Sequence, residues 1–263
     1  MNIISIDLPW KEDKKGHRTL AITDLDGNVK IAPASDDNEL LQLVRDTSEP
    51  RSIILLDIPI DGFDNLVGEH FRPIDRAIAR QGISALPASI AGKGRGKSLK
   101  GLLEKDKNRL IVYETYPYAI YKFLAYLQMK KSLQRLNLDK FDTLLDKGFR
   151  AFWPPKYKRE KKREKRLGNM EYLYSLLMDT GIGLNFRMPL NCPEASSNLD
   201  RLGDEYDACL GAIAGVYFAN NSSYACIAGD SKSGNILLLA DQWLAAQLSK
   251  EVKVTKPKGS SKI

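Results

Sequence analysis

The chain has 263 residues, 43% of them apolar and 28% charged, with a formal net charge of +7. That length suits one large domain or two small ones around a substantial core, and the composition is ordinary for a globular chain. No apolar run reaches the roughly 18 residues needed to span a bilayer; the three cysteines (Cys192, Cys209, Cys226) contain no CxxC pair, and only His17 and His70 are available as imidazoles, so a membrane span, a disulfide scaffold, a zinc site and a His-rich centre are all excluded as expectations.

The chain opens on a short apolar run, residues 3–8, with Asp7 near its end. It lacks the basic start and cleavage site of a signal peptide and reads as a strand. A cytoplasmic location with reduced thiols is expected. Residues 18–24 and 28–32 are β-prone and joined by Asp26-Gly27-Asn28, a strong hairpin signal. Residues 38–45 predict a helix with Leu40, Leu41 and Val44 on one face. Residues 52–60 are apolar apart from Asp57 and flanking Ser52, which suits a central strand covered on both sides. The order β-β-β-α-β, a meander followed by a helical crossover, predicts an α/β fold: a mixed sheet flanked by helices.

Residues 73–80 predict a helix closed by Gln81-Gly82, and residues 109–115 another buried strand. Pro117 opens a helix whose Ile120, Phe123, Leu124 and Leu127 recur at helical spacing. Residues 130–155 are irregular, and residues 158–179 read as one helix, basic at its start. Together they suggest a helical insertion over about 120–180. Residues 183–200 read as a loop, 204–219 as a helix, and 225–229 with 235–239 as a last hairpin. The expectation is one domain over 1–249 and a basic disordered tail over 250–263.

The positive charge is local. Residues 93–109 carry a net +5 and residues 156–166 a net +6, which leaves −4 for the remainder. Such stretches can neutralise phosphates, although a solvated helix face or loop would look the same.

Acidic residues fall at the ends of core elements. Asp7 closes the first strand, Asp57 interrupts the apolar run after Leu55-Leu56, and Glu114 closes the strand before Pro117. Asp204 and Asp207 are three apart and share a helix face. Each has a bland explanation: Asp7 and Asp57 as turn caps, Asp204 as an N-cap, Glu114 as a partner of the helix dipole. Taken together they suggest convergence at the carboxyl ends of the strands, where sites form in open α/β sheets. Converging carboxylates repel, and a divalent ion such as Mg²⁺ or Mn²⁺ relieves that. One or two such ions suit phosphodiester hydrolysis without a His or Ser nucleophile. Ala208, Gly211 and Gly215 form a small-residue stripe that would let this helix approach the sheet closely.

The motifs Ile6-Asp7-Leu8-Pro9, Asp57-Ile58-Pro59-Ile60, Arg72-Pro73-Ile74-Asp75-Arg76, Tyr113-Glu114-Thr115-Tyr116-Pro117, Tyr157-Lys158-Arg159 and the run from Gly203 to Ala212 resemble, in order, the family called domain of unknown function 429. The resemblance implies an RNase H-like fold and metal-dependent nuclease activity, with nucleic acid as partner. It implies catalytic and metal-binding roles for Asp7, Asp57, Glu114 and Asp207, with Asp204 beside them. Arg72 and Arg76 would border the site and are expected to contact nucleic acid. Lys158, Arg159 and Lys162 are expected to receive phosphates, with Lys97 in a basic loop as a further contact.

Two other readings use the same chain. The segment Ala91-Gly92-Lys93-Gly94-Arg95-Gly96-Lys97-Ser98 fits a relaxed phosphate-loop pattern but follows a poor strand, so a flexible basic loop over 92–100 is the stronger expectation. An RNase H-like scaffold could also serve as a non-catalytic nucleic-acid or protein binding module.

Overall fold

The computed structural model describes residues 1–9, 18–66, 70–85, 88, 94–106, 108–135, 148–158, 160–180 and 196–257. Its strands are β1 (Ile3–Asp7), β2 (Arg18–Thr23), β3 (Val29–Ala34), β4 (Ile53–Leu56), β5 (Ile111–Thr115), β6 (Ala225–Asp230), β7 (Gly234–Leu239) and β8 (Val254–Thr255). Its helices are α1 (Asp37–Thr47), α2 (Pro73–Arg80), α3 (Arg95–Glu104), α4 (Pro117–Arg135), α5 (Arg163–Met178), α6 (Ser196–Ala219) and α7 (Gln242–Leu248). The strands form one eight-stranded mixed sheet in the order β3-β2-β1-β4-β5-β7-β6-β8. β1, β4, β5 and β7 run parallel; β2 and β6 run against their neighbours.

The meander at the start follows from local chemistry. Gly27 takes φ 83° at the turn, a left-handed conformation that costs glycine nothing. Asp24 accepts from Asn28 N at 3.0 Å, which closes the hairpin. Asp36 then caps α1 by accepting from Asn38 N and Glu39 N.

Alternation along the strands sorts side chains between two layers. Ile4, Ile6, Ile54 and Leu56 pack with Leu40, Leu41 and Val44 of α1 and Leu99 and Leu103 of α3. Ile3, Ser5 and Leu55 face the other way, toward α6. There the glycine stripe sets the approach. A methyl on Gly215 would lie 2.4 Å from Ile3 Cγ2 and 2.8 Å from Leu55 Cδ1, and one on Gly211 would lie 2.0 Å from Ser5 Oγ. Four residues of helix advance about 6 Å, and two residues of strand about 6.6 Å. The two ladders therefore stay in step, Gly215 over Ile3 and Gly211 over Ser5. The next step brings Asp207 to Asp7.

The fold departs from the sequence expectations in several places. α6 begins at Ser196, inside the stretch expected to be a loop. Asp204 therefore lies inside the helix and is no N-cap. Residues 95–100, expected in a flexible basic loop, belong to α3, whose Gly96 packs against the Pro59 carbonyl. Among the described residues before it, 83–85 and 88, none is in a strand; residues 86, 87 and 89–93 lie outside the described set, and the start of the expected phosphate-loop segment with them. In the segment expected to be a disordered tail, β8 pairs with β6 through Ile227 and Thr255, and Gly229 N donates to Lys253 O at 2.7 Å. This edge strand is stabilised by backbone pairing, which composition does not reveal. Among the described residues no helix is long and apolar enough to cross a membrane.

Candidate metal centre

Asp7, Asp57 and Asp207 each offer a carboxylate oxygen, and the three oxygens lie within 4.8 Å of one another. β1 and β4 pair in parallel with Ile6 beside Leu56, and Asp57 N donates to Ile6 O at 3.0 Å. That register sets Asp7 and Asp57 next to each other on the α6 side. Asp207 arrives from α6 by the glycine ladder.

The strap at 152–158 completes the site. Tyr157 is buried, and its hydroxyl donates to Asp207 Oδ1. Its ring packs edge-on against Tyr121 at 5.3 Å and Tyr206 at 6.4 Å. Its carbonyl accepts from Arg166 Nε at 2.9 Å, which ties the strap to α5. Lys158 reaches over Gly203, where a methyl would meet its Cγ at 3.0 Å. Its ammonium lies 2.8 Å from Asp204 Oδ1 and 3.5 Å from Asp7 Oδ2, and it contacts Asp207 Oδ2 most closely.

This charge balance is incomplete. Burial and the neighbouring Asp207 push the Asp57 carboxyl up to about 8, against the pull of Lys158. Asp7 is likewise pushed well up by burial, with Lys158 pulling down and Asp207, Asp57 and Asp204 pushing up. The Lys158 ammonium is held protonated by Asp207, Asp7 and Asp204 despite its partial burial.

Glu114 does not join the set. Leu56 pairs with Glu114, so Glu114 points to the opposite face from Asp57; the α6-facing residue of β5 is Thr115, next to the Gly211 position. There Arg72 grips both Glu114 oxygens at 2.6 Å, and Ile60 N donates to Oε2 at 3.1 Å. Burial pushes Glu114 up to about 7 while Arg72 pulls it down.

The expected nucleic-acid contacts divide in the same way. Arg72 is corrected: it is buried at 1% exposure and committed to Glu114, Asp75 and the Asp61 carbonyl, so it has no reach to a phosphate. Lys158 is inside the carboxylate cluster. Arg76 is exposed on α2, Lys97 on the first turn of α3 and Lys162 at the start of α5; Arg159 lies outside the described residues.

A cleft of about 390 Å³ opens beside the carboxylates, bordered by Asp7, Asp57, Asp207 and Lys158 and by Tyr116 and Trp153. Tyr157 and these cleft aromatics were missing from the sequence-derived site. Adjacency to Lys158 was the available signal for Tyr157; nothing in the spacing marked Trp153.

No family model, curated protein or solved structure matches this chain. The functional reading therefore rests on the site itself.

Proposed function

We propose that the chain is a metal-dependent nuclease on an RNase H-like scaffold, akin to the domain of unknown function 429 family that its motifs resemble. The observation that carries this reading is the convergence of Asp7, Asp57 and Asp207 within 4.8 Å at the mouth of a cleft. The meander-then-crossover order, with Asp7 at the carboxyl end of β1 and Asp57 just past that of β4, supports it.

The donor set fits Mg²⁺ or Mn²⁺, which prefer carboxylate oxygens and keep waters for substrate phosphate. Asp7, Asp57 and Asp207 would hold the ion, with Asp204 close by. Once bound, it supplies an acidified water and stabilises charge on the leaving oxygen. The chain's own residues do the rest. Tyr157 fixes the orientation of Asp207. Lys158, which offsets only part of the acids' charge in the metal-free protein, would turn its ammonium to a substrate phosphate as the acids take a cation. Exposed Lys162 and Lys156 extend the positive charge along the strap.

One observation favours a second reading. Lys158 already bonds two of the carboxylates and approaches a third, as it would in a non-catalytic binding module that needs no metal. Calorimetric titration with Mn²⁺ and Mg²⁺, on wild type and Asp7→Asn, separates the two. Cleavage of labelled single- and double-stranded DNA and RNA on the same samples completes the test. Metal binding and cleavage that are both lost in Asp7→Asn are the expected result. No binding at millimolar metal would favour the binding module.

A further inference from the structure

The cleft has an aromatic wall that metal binding leaves unused. Trp153 is 57% exposed, more than any other large apolar side chain among the described residues. It is nevertheless held in place. Lys122 Nζ stands 4.8 Å from its ring centroid, and that ammonium is anchored by the Gly82 carbonyl at 2.5 Å. Pro154 and Pro155 follow it and stiffen the backbone. Tyr121 in α4 donates to the Pro155 carbonyl at 2.9 Å, which locks the strap to the helix that carries Tyr118. Trp153, Tyr116 and Tyr118 line the same cleft as the three aspartates, with exposed Lys156 at its side.

An anchored indole with much of its surface in water, beside a carboxylate cluster and basic side chains, suits a planar ring attached to a phosphate. Base–aromatic stacking is tolerant of sequence because every base has a π-face. A base inside a duplex has both faces covered by its neighbours and must first be unstacked.

We propose that this wall is a base-stacking subsite, so that the substrate is single-stranded nucleic acid with an unpaired base on Trp153 beside the phosphate at the aspartates. This rests on the nuclease reading and deepens it. Exposed Lys161 and Lys162, following Lys156 along the strap, give the neighbouring phosphates a path out of the cleft.

The test measures anisotropy of a labelled 12-nucleotide thymidine strand, and of the matching duplex, in Ca²⁺ buffer. Wild type, Trp153→Ala and Trp153→Phe are compared, with Mn²⁺ calorimetry on each. The single strand should bind more tightly than the duplex. Trp153→Ala should weaken single-strand binding by about 10-fold, within the range of one lost stack. Trp153→Phe should retain most of it, and Mn²⁺ binding should be unchanged throughout. Should Trp153→Ala not fold, wild-type indole emission decides: the strand should quench it, and Trp153→Phe should abolish the quenching. Equal binding by wild type and Trp153→Ala, or preference for duplex, overturns the proposal while intact Mn²⁺ binding leaves the metal site standing. Loss of Mn²⁺ binding with Trp153-dependent strand binding preserved has the opposite meaning.

Discussion

Glu114 and Asp57 end neighbouring parallel strands, yet their charges are handled differently. Glu114 faces a guanidinium that is itself buried, bidentate and shared with Asp75. Asp57 sits with Asp7 and Asp207 against one lysine ammonium whose side chain is 32% exposed and is divided among Asp7, Asp204 and Asp207. The first arrangement is a permanent ion pair with its lone pairs satisfied, as a buried charge requires. The second leaves more negative charge than its cation can match, and the cation can leave toward solvent. A structural acid and an acid in a cluster able to take a metal thus differ here in the mobility of the counter-charge and not in burial.

The largest effect should come from breaking the permanent pair. Arg72→Met strands Glu114 and is expected to cost about 3–5 kcal/mol in urea unfolding. No divalent ion should restore it. Adding Glu114→Gln should recover part of the loss, because the uncompensated charge is then gone. A loss below about 1 kcal/mol would erase the contrast between the two acids.

Gly211→Ala probes how the second cluster is assembled. The new methyl would meet Ser5 Oγ at 2.0 Å, Ser5 Cβ at 3.1 Å and Thr115 Cγ2 at 3.2 Å, so turning the Ser5 hydroxyl relieves only the first contact and α6 must ease away from the sheet to relieve the others. Overpacking of this kind costs about 1–3 kcal/mol. Unlike Arg72→Met, it should also weaken Mn²⁺ binding in calorimetry, since Asp207 lies one turn from Gly211 on the same helix face. A stability loss with undiminished metal affinity would show that the glycine ladder does not set the Asp207 position.

The metal-free cluster also fixes a pH dependence. The folded-state pKa of Asp57 is raised to about 8, well above that of an unfolded aspartate, so the fold favours its protonated form. The resulting stability is complete below about pH 4 and is lost as pH rises through 8. Melting temperature without metal should therefore fall between about pH 6 and about pH 9. Asp57→Asn should flatten that fall, and saturating Mg²⁺ should oppose it by stabilising the ionised carboxylates. A melting temperature that stays level in the metal-free wild type would mean that Lys158 already compensates the acids in full.

Much of this was legible in the sequence, and the rest has physical reasons for being hidden. Asp7 and Asp57 stood out because each interrupts an apolar run near a strand end. Gly211 and Gly215 announced a close helix. The error with Glu114 came from treating strand ends as equivalent. A shift of one residue in register turns a side chain to the opposite face, and register belongs to the pairing of β4 with β5 and not to either strand alone. Arg72 looked like a phosphate ligand for the same reason, since its partner lies 42 residues away in the chain. The early start of α6 and the pairing of β8 depend on tertiary contacts that local propensity does not carry.

The smallest expected effect sharpens the comparison most. Lys158→Met removes the mobile counter-charge, as Arg72→Met removes the fixed one. Because the Lys158 side chain is partly exposed, and because the buried acids it leaves can take up protons, the metal-free protein should lose only about 1 kcal/mol. The loss should shrink at lower pH, where Asp57 is protonated, and should vanish in saturating Mn²⁺, which takes over the role of the ammonium. Mn²⁺ affinity should rise, because the ion no longer displaces a bound cation. Denaturant unfolding with and without Mn²⁺, beside calorimetry, measures all three. If Lys158→Met instead behaves like Arg72→Met, with a large loss that metal does not rescue, then Lys158 is a structural cation and the cluster is built to stay closed.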